Sequence, residues 1–203
     1  DGDFLRKAAE DKMGDFGYIE IQDVTTQMGV FAIAGPKSRD VLGSLVRDAD
    51  PATVLSNKRF PWLSARSFEL GMCPTIGVRV AYTGELGWEL HHPIEMQNYL
   101  WDRLMEAGEP HGLKLVGARA QNWLRQENSY RAFGTELGRD ATPQEAGLDR
   151  FIDLSKGFHG KDAMIETGIR SKCVTLLIDG PQDADPWGRE ALYDGEIRVG
   201  RLT

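Results

Sequence analysis

Arg79-Val80-Ala81-Tyr82-Thr83-Gly84-Glu85-Leu86-Gly87-Trp88-Glu89 is the stretch around which the chain is organised. It reads as strand, turn, strand. Ile76, Val78 and Val80 alternate with Gly77, Arg79 and Ala81, Thr83-Gly84-Glu85 breaks the run, and Trp88-Glu89-Leu90 resumes it. Gly84 and Gly87 allow a sharp turn, or a close approach of backbone to a flat ligand, where a Cβ would clash. Tyr82 and Trp88 are aromatics able to cover a ring. Glu85 and Glu89 are carboxylates able to accept paired hydrogen bonds from ring N–H and amino groups. The kit suits a fused heteroaromatic such as a pterin, and it equally suits a plain hairpin with core aromatics and surface glutamates.

Upstream of this stretch, the pattern predicts a polar helix over 3–14, strands over 17–21 and 28–34, and a helix opened by Gly35-Pro36. That helix carries Val41, Leu42, Leu45 and Val46 at helical spacing. A loop-rich segment from Asp48 to Pro61 leads to strands over 64–70 and 75–82. Downstream, a helix over 94–107 places Met96, Leu100, Leu104 and Ala107 on one face, with Gly108 as terminator. A second helix over 116–130 carries the stripe Val116, Ala120, Trp123 and Leu124. A strand over 151–154, a short helix over 160–166 and strands over 172–179 and 197–202 complete the reading, the last following Asp194-Gly195. This alternation points to an α+β protein rather than a doubly wound parallel sheet. Gly84-x-x-Gly87 lies inside a hairpin-like segment, not between a strand and a helix, so it is neither a dinucleotide nor a phosphate loop. The chain therefore offers no home for a flavin.

Composition narrows the classes further. The 203 residues are 41% hydrophobic and 27% charged, an ordinary globular mixture. A net charge of -7, from 24 basic and 31 acidic residues, argues against nucleic acid and against an anionic membrane as partner. No apolar run approaches the ~20 residues of a membrane span, and the first residues have no signal-peptide layout. Cys73 and Cys173 are read as free thiols in a reducing compartment. The four histidines, His91 and His92 among them, lack metal-ligand spacing and are read as structural or surface residues, so no metal is expected.

Tyr82-Thr83-Gly84-Glu85-Leu86-Gly87-Trp88-Glu89 resembles the Tyr-Thr-Gly-Glu-x-Gly-x-Glu signature of the glycine-cleavage T-protein (aminomethyltransferase) family. The likeness is nearer still to the folate-binding C-terminal half of the dimethylglycine and sarcosine dehydrogenases. Three more stretches agree in order. Gly35-Pro36-Lys37-Ser38-Arg39 is similar to the family's Gly-Pro-x-(Ser/Ala)-Arg, Thr142-Pro143-Gln144-Glu145-Ala146-Gly147-Leu148 to its Thr-Pro-x-Glu-Ala-Gly-Leu, and Phe158-His159-Gly160-Lys161 to its Phe-x-Gly-(Arg/Lys).

The resemblance implies a T-protein-like folate-binding fold with mixed or antiparallel sheets and packed helices. It implies such a domain over 1–170 and, over 171–203, the beginning of a C-terminal β-barrel. It implies binding of tetrahydrofolate, with Glu89 at the pterin edge, Tyr82 as a wall or hydrogen-bonding residue, and Glu85 and Trp88 nearby. On the following helix the family carries an arginine where this chain has Gln121, a neutral residue shared with the dehydrogenase branch; Arg125 is read as an ion-pair or packing residue. The family's catalytic aspartate lies upstream of the Gly-Pro-x-Ser-Arg segment, so no catalytic residue is assigned here and the segment is expected to be inactive alone. The implied reaction is capture of an oxidised N-methyl carbon as 5,10-methylene-tetrahydrofolate, with FAD only in a parent domain outside this chain. Folate and a small methylated amino acid are the implied partners, in the cytoplasm or, in a eukaryote, the mitochondrial matrix. The alternatives are a free-standing aminomethyltransferase or a non-catalytic folate-binding module; the Lys-Gly-Cys-Tyr string of the latter does not occur.

Overall fold

The computed structural model describes residues 2–48, 50–180 and 186–203. They form two compact units, Asp1–Gly117 and Ala118–Thr203.

In the first unit, α1 (Gly2–Phe16) is a polar helix with none of its residues buried. It is followed by β1 (Met28–Ala34), α2 (Ser38–Gly43), α3 (Pro51–Val54), β2 (Ala65–Leu70), β3 (Cys73–Val78), β4 (Gly87–Pro93) and α4 (Gln97–Gly108). The four strands make one sheet in the order β1-β4-β3-β2, and every neighbouring pair is antiparallel. Period-two alternation sends Ile33, Leu70, Cys73, Trp88 and Leu90 to one face. There they pack with Val41 and Leu42 of α2 and Leu100 and Leu104 of α4. The helical spacing read for α4 is the face it buries. Its first turn is a 3-10 helix, Ile94–Met96, and left-handed Gly112 ends a second 3-10 turn after Gly108.

The opposite face of the sheet is the more exposed one. It presents Val30 and Ile76, which are 50% and 46% exposed, together with Ala32, Val78, Glu89 and His91.

The second unit holds α5 (Ala118–Glu127), α6 (Lys161–Thr167) and a hairpin of β5 (Ala191–Asp194) and β6 (Ile197–Arg201). Asp194 pairs with Ile197 across Gly195, whose φ of 61° supplies the left-handed turn position.

Outside the connection between β3 and β4, the structure departs from the sequence reading in four places. Residues 17–21 form no strand, and Tyr18 is 81% exposed, because no described strand lies beside them to pair their backbone. Residues 151–154 give way to a 3-10 turn, Asp149–Phe151, and to an Asp153 carboxylate that accepts from the Ser155 N–H and hydroxyl. Residues 172–179 run without a ladder and leave Leu177 and Ile178 exposed. Of the stripe Val116, Ala120, Trp123 and Leu124, the first three are likewise exposed and Leu124 is half-buried, and the buried residue of α5 is Arg125.

Arg125 is held by its polar partners. Its Nη1 donates to the Tyr130 carbonyl and to the Glu136 carboxylate at 2.7 and 3.0 Å, and its Nε donates to Asn122 at 2.8 Å. The expected ion-pair role of Arg125 is what the structure shows.

Candidate functional site

Arg79–Leu86 forms an irregular connection between β3 and β4, so β3 stops short of the expected residue 82. The Arg79 backbone turns aside to bond with Leu63 and Ser64, and its guanidinium donates to the Phe60 carbonyl. Gly84 has φ 83°, a left-handed conformation that costs a residue with a Cβ. Gly87 is required for another reason. A Cβ there would lie 2.8 Å from the Ile33 carbonyl oxygen and 3.2 Å from the Ala34 Cα, so glycine is what lets β4 lie against the end of β1.

The Gly-Pro-x-Ser-Arg segment fastens this connection. Gly35 N–H donates to the Leu86 carbonyl at 2.8 Å, and the buried Ser38 hydroxyl lies 2.8 and 3.2 Å from the Gly35 and Leu86 carbonyls. Two motifs far apart in sequence are thus one local structure.

The candidate residues separate by position. Trp88 and Glu89 are consecutive on a strand and point to opposite faces. Trp88 is fully buried, edge-on to Phe60 at 6.1 Å, with the guanidinium carbons of Arg39 and Arg79 each 5.8 Å from its ring centroid. Burial and the neighbouring Arg39 charge push the Arg79 guanidinium below its ordinary range. The Trp88 ring is therefore a core element and covers nothing on the open face.

Glu89 lies on that open face, in register between Ala32 of β1 and Val78 of β3. Its side chain is 45% exposed, and its Oε2 is 3.4 Å from Nε2 of His91. Tyr82 is 44% exposed on the β3–β4 connection. Glu85 is exposed on the same connection, its Oε2 3.5 Å from where a Cβ on Gly35 would lie. Gln121 is partly buried on α5 of the second unit.

His91, read from sequence as structural or surface, shares the face of Glu89 because it is two residues further along the strand. The adjacent His92 points the other way. It is fully buried, stacked on Phe31 at 4.9 Å, with Nδ1 2.9 Å from the Leu90 carbonyl. His91 also borders a groove of about 390 Å³ on the open face, whose walls include Met28, Pro74, Ile76 and Pro93.

In the second unit, the Thr142-Pro143-Gln144-Glu145 string forms a reciprocal cap. The Thr142 N–H donates to the Glu145 carboxylate at 2.7 Å, and the Glu145 N–H donates to the Thr142 hydroxyl at 3.2 Å. The buried Glu145 carboxylate also accepts from the Arg170 guanidinium and from the N–H groups of Arg170 and Ser171. The Arg170 side chain, then the Thr142 and Arg170 backbone N–H groups, hold Glu145 far below the usual carboxylate range. This motif is a structural clamp. Among the described residues no three metal-ligating side chains converge, and no helix is long and apolar enough to cross a membrane.

Residues 1–156 match the family described as the GCVT N-terminal domain. The mitochondrial dimethylglycine dehydrogenase of Mus musculus is 40% identical over 194 residues, covering 92% of this chain and 22% of that protein. The mitochondrial sarcosine dehydrogenase of Mus musculus is 32% identical, over 90% of this chain and 20% of that protein. An aminomethyltransferase of Caldanaerobacter subterraneus is 38% identical, over 80% of this chain and 43% of that protein. The chain thus spans about a fifth of the dehydrogenases and less than half of the aminomethyltransferase. Among solved structures, a heterotetrameric sarcosine oxidase from Corynebacterium is similar at a TM-score of 0.42 and 18% identity, over 55% of this chain and 54% of that one.

Proposed function

This chain belongs to the family of the GCVT N-terminal domain, and from that premise we propose that it is the tetrahydrofolate-binding region of a demethylating dehydrogenase of the dimethylglycine or sarcosine type. The observation that carries the reading is Glu89: a carboxylate on an open, largely apolar sheet face, inside the motif that the family shares. A reduced pterin presents a ring N–H and an amino group side by side, and a carboxylate accepts such a pair in a charge-assisted, bidentate manner. Glu89 fits that demand. Ala32 and Val78 flank it and compete for none of its lone pairs, and each of its oxygens has a lone pair free after the contact with His91. Tyr82, exposed on the connection before β4, is proposed as a wall of the same site.

Tetrahydrofolate would supply the nucleophilic nitrogen that takes up the carbon of an oxidised N-methyl group, giving 5,10-methylene-tetrahydrofolate. The chain's own contribution is to hold and orient: effective positioning is worth more to such a capture than acid–base assistance. We assign none of the residues in this chain a catalytic role, and place any FAD in a separate domain of the parent protein. Residues 171–203, with the β5–β6 hairpin, are proposed as the start of the β-barrel domain, and the mitochondrial relatives support a matrix location.

A second reading, part of a free-standing aminomethyltransferase, is supported by the 38% identity to the Caldanaerobacter protein. Gln121 favours the dehydrogenase reading, because a neutral residue stands where the aminomethyltransferases are expected to carry an arginine.

The test is Glu89→Gln in the intact protein, with tetrahydrofolate binding followed by calorimetry. Loss of a charge-assisted hydrogen bond predicts a deficit of about 1.5–3 kcal/mol, or roughly 10- to 150-fold in Kd. Unchanged affinity would refute the assignment.

A further inference from the structure

We infer that His91 is a positioning residue for Glu89, fixing the carboxylate in the orientation in which it accepts the ligand's donors. The inference rests on the proposed folate site and adds a residue to it.

The geometry is local and specific. Residues two apart on a strand share a face, and Nε2 of His91 lies 3.4 Å from Oε2 of Glu89. The cross-strand neighbours offer no substitute. Glu89 stands between Ala32 and Val78, and His91 between Val30 and Ile76. Among the described residues, His91 is the one side chain that makes a polar contact with the Glu89 carboxylate. Without it, a glutamate 45% exposed on an apolar face would sample several rotamers, and binding would have to freeze them.

The imidazole lies against Oε2, at 3.4 Å, and leaves Oε1 and the remaining lone pair of Oε2 to accept from the ligand. His91 itself is held. Its side chain is 33% exposed and forms part of the wall of the groove beside Ile76 and Pro93. The neighbouring His92 has a different role, since it faces the core and spends Nδ1 on the Leu90 carbonyl.

The experiment is a double-mutant cycle in the intact protein, with tetrahydrofolate as the probe and calorimetric Kd as the readout. His91→Ala in the wild-type background is expected to weaken binding about three- to tenfold, the range of a coupled neighbour pair. His91→Gln retains an N–H donor on that face and should recover most of the loss. In the Glu89→Gln background, His91→Ala should add less than about twofold, because the group it orients is already compromised. Melting temperatures of the His91 variants should match wild type, which separates orientation from folding. An equal loss in both backgrounds would mean that His91 touches the ligand independently, and overturns the inference. No loss for His91→Ala beside a clear loss for Glu89→Gln overturns it while sparing the folate site. No effect of Glu89→Gln removes the folate site itself.

Discussion

Glu136→Gln removes one charge from a buried ion pair and little else, so its cost can be worked out in advance. Arg125 and Glu136 side chains are 1% and 6% exposed, with Nη1 and Oε2 3.0 Å apart. The same carboxylate accepts from the Ala132 N–H at 2.9 Å and from the Thr135 hydroxyl at 2.6 Å. Burial alone would raise its pKa. The hydrogen bonds from Thr135 and Ala132, with the Arg125 charge, outweigh burial and lower it from the ordinary 4.5 to about 2. A carboxylate held below its unfolded value contributes stability that is present above about pH 4.5 and lost as pH falls towards 2. By linkage that contribution is about 3 kcal/mol at pH 7 and roughly half as much at pH 3. The glutamine variant also takes the Glu136 charge away from the buried Arg125 guanidinium, which moves the expected loss at pH 7 towards the ~3–5 kcal/mol typical of a broken buried pair. Urea unfolding of wild type and variant at pH 7, 5 and 3 reads the gap directly. It should be large and equal at pH 7 and 5 and clearly smaller at pH 3. A gap independent of pH, or no gap at pH 7, would show that the pair does not act as reasoned.

Gly87→Ala should destabilise the first unit by about 1–3 kcal/mol, because the added methyl meets β1 backbone rather than a side chain that can swing away. Gly84→Ala should cost roughly 1–2 kcal/mol for its left-handed backbone, φ 83°; wild-type melting temperatures in both variants would contradict the turn as described. Glu145→Gln should loosen the segment that its carboxylate holds, which hydrogen exchange would show as faster exchange at the Arg170 and Ser171 amides with little change in α4.

How far the sequence could be read depended on whether each feature was local. Helix α4 was legible because Leu100 and Leu104, four apart, need only the helix itself to share a face, and both are buried. β1, with α2 after Gly35-Pro36, was legible for the same reason. Residues 17–21 and 172–179 have strand-like side chains, but a strand exists only with a partner, and partnership is a non-local fact that propensity does not carry. Arg125 and Trp123 show the complementary failure. On a helical wheel Trp123 belongs inside and Arg125 outside. The order is reversed because Glu136, eleven residues away on an irregular turn, supplies the counter-charge and lone pairs that make burying a guanidinium tolerable. The site divides along the same line. Glu89 was singled out by a contiguous string, and Trp88 was chosen with it because a string does not say which face each residue takes. Strand geometry does, and it sends Trp88 to the core and Glu89 to the open side. The same alternation carries His91 to Glu89 and His92 away from it, the opposite facing that two adjacent residues on a strand must take. A substitution that slipped β4 by one position would exchange Trp88 for Glu89 and His92 for His91 on the open face, burying a carboxylate and exposing an indole. The three-register contact of β4 with β3 is short, and its match to all seven residues of β1, closed at the end by Gly87 against Ala34, is what holds the carboxylate outward.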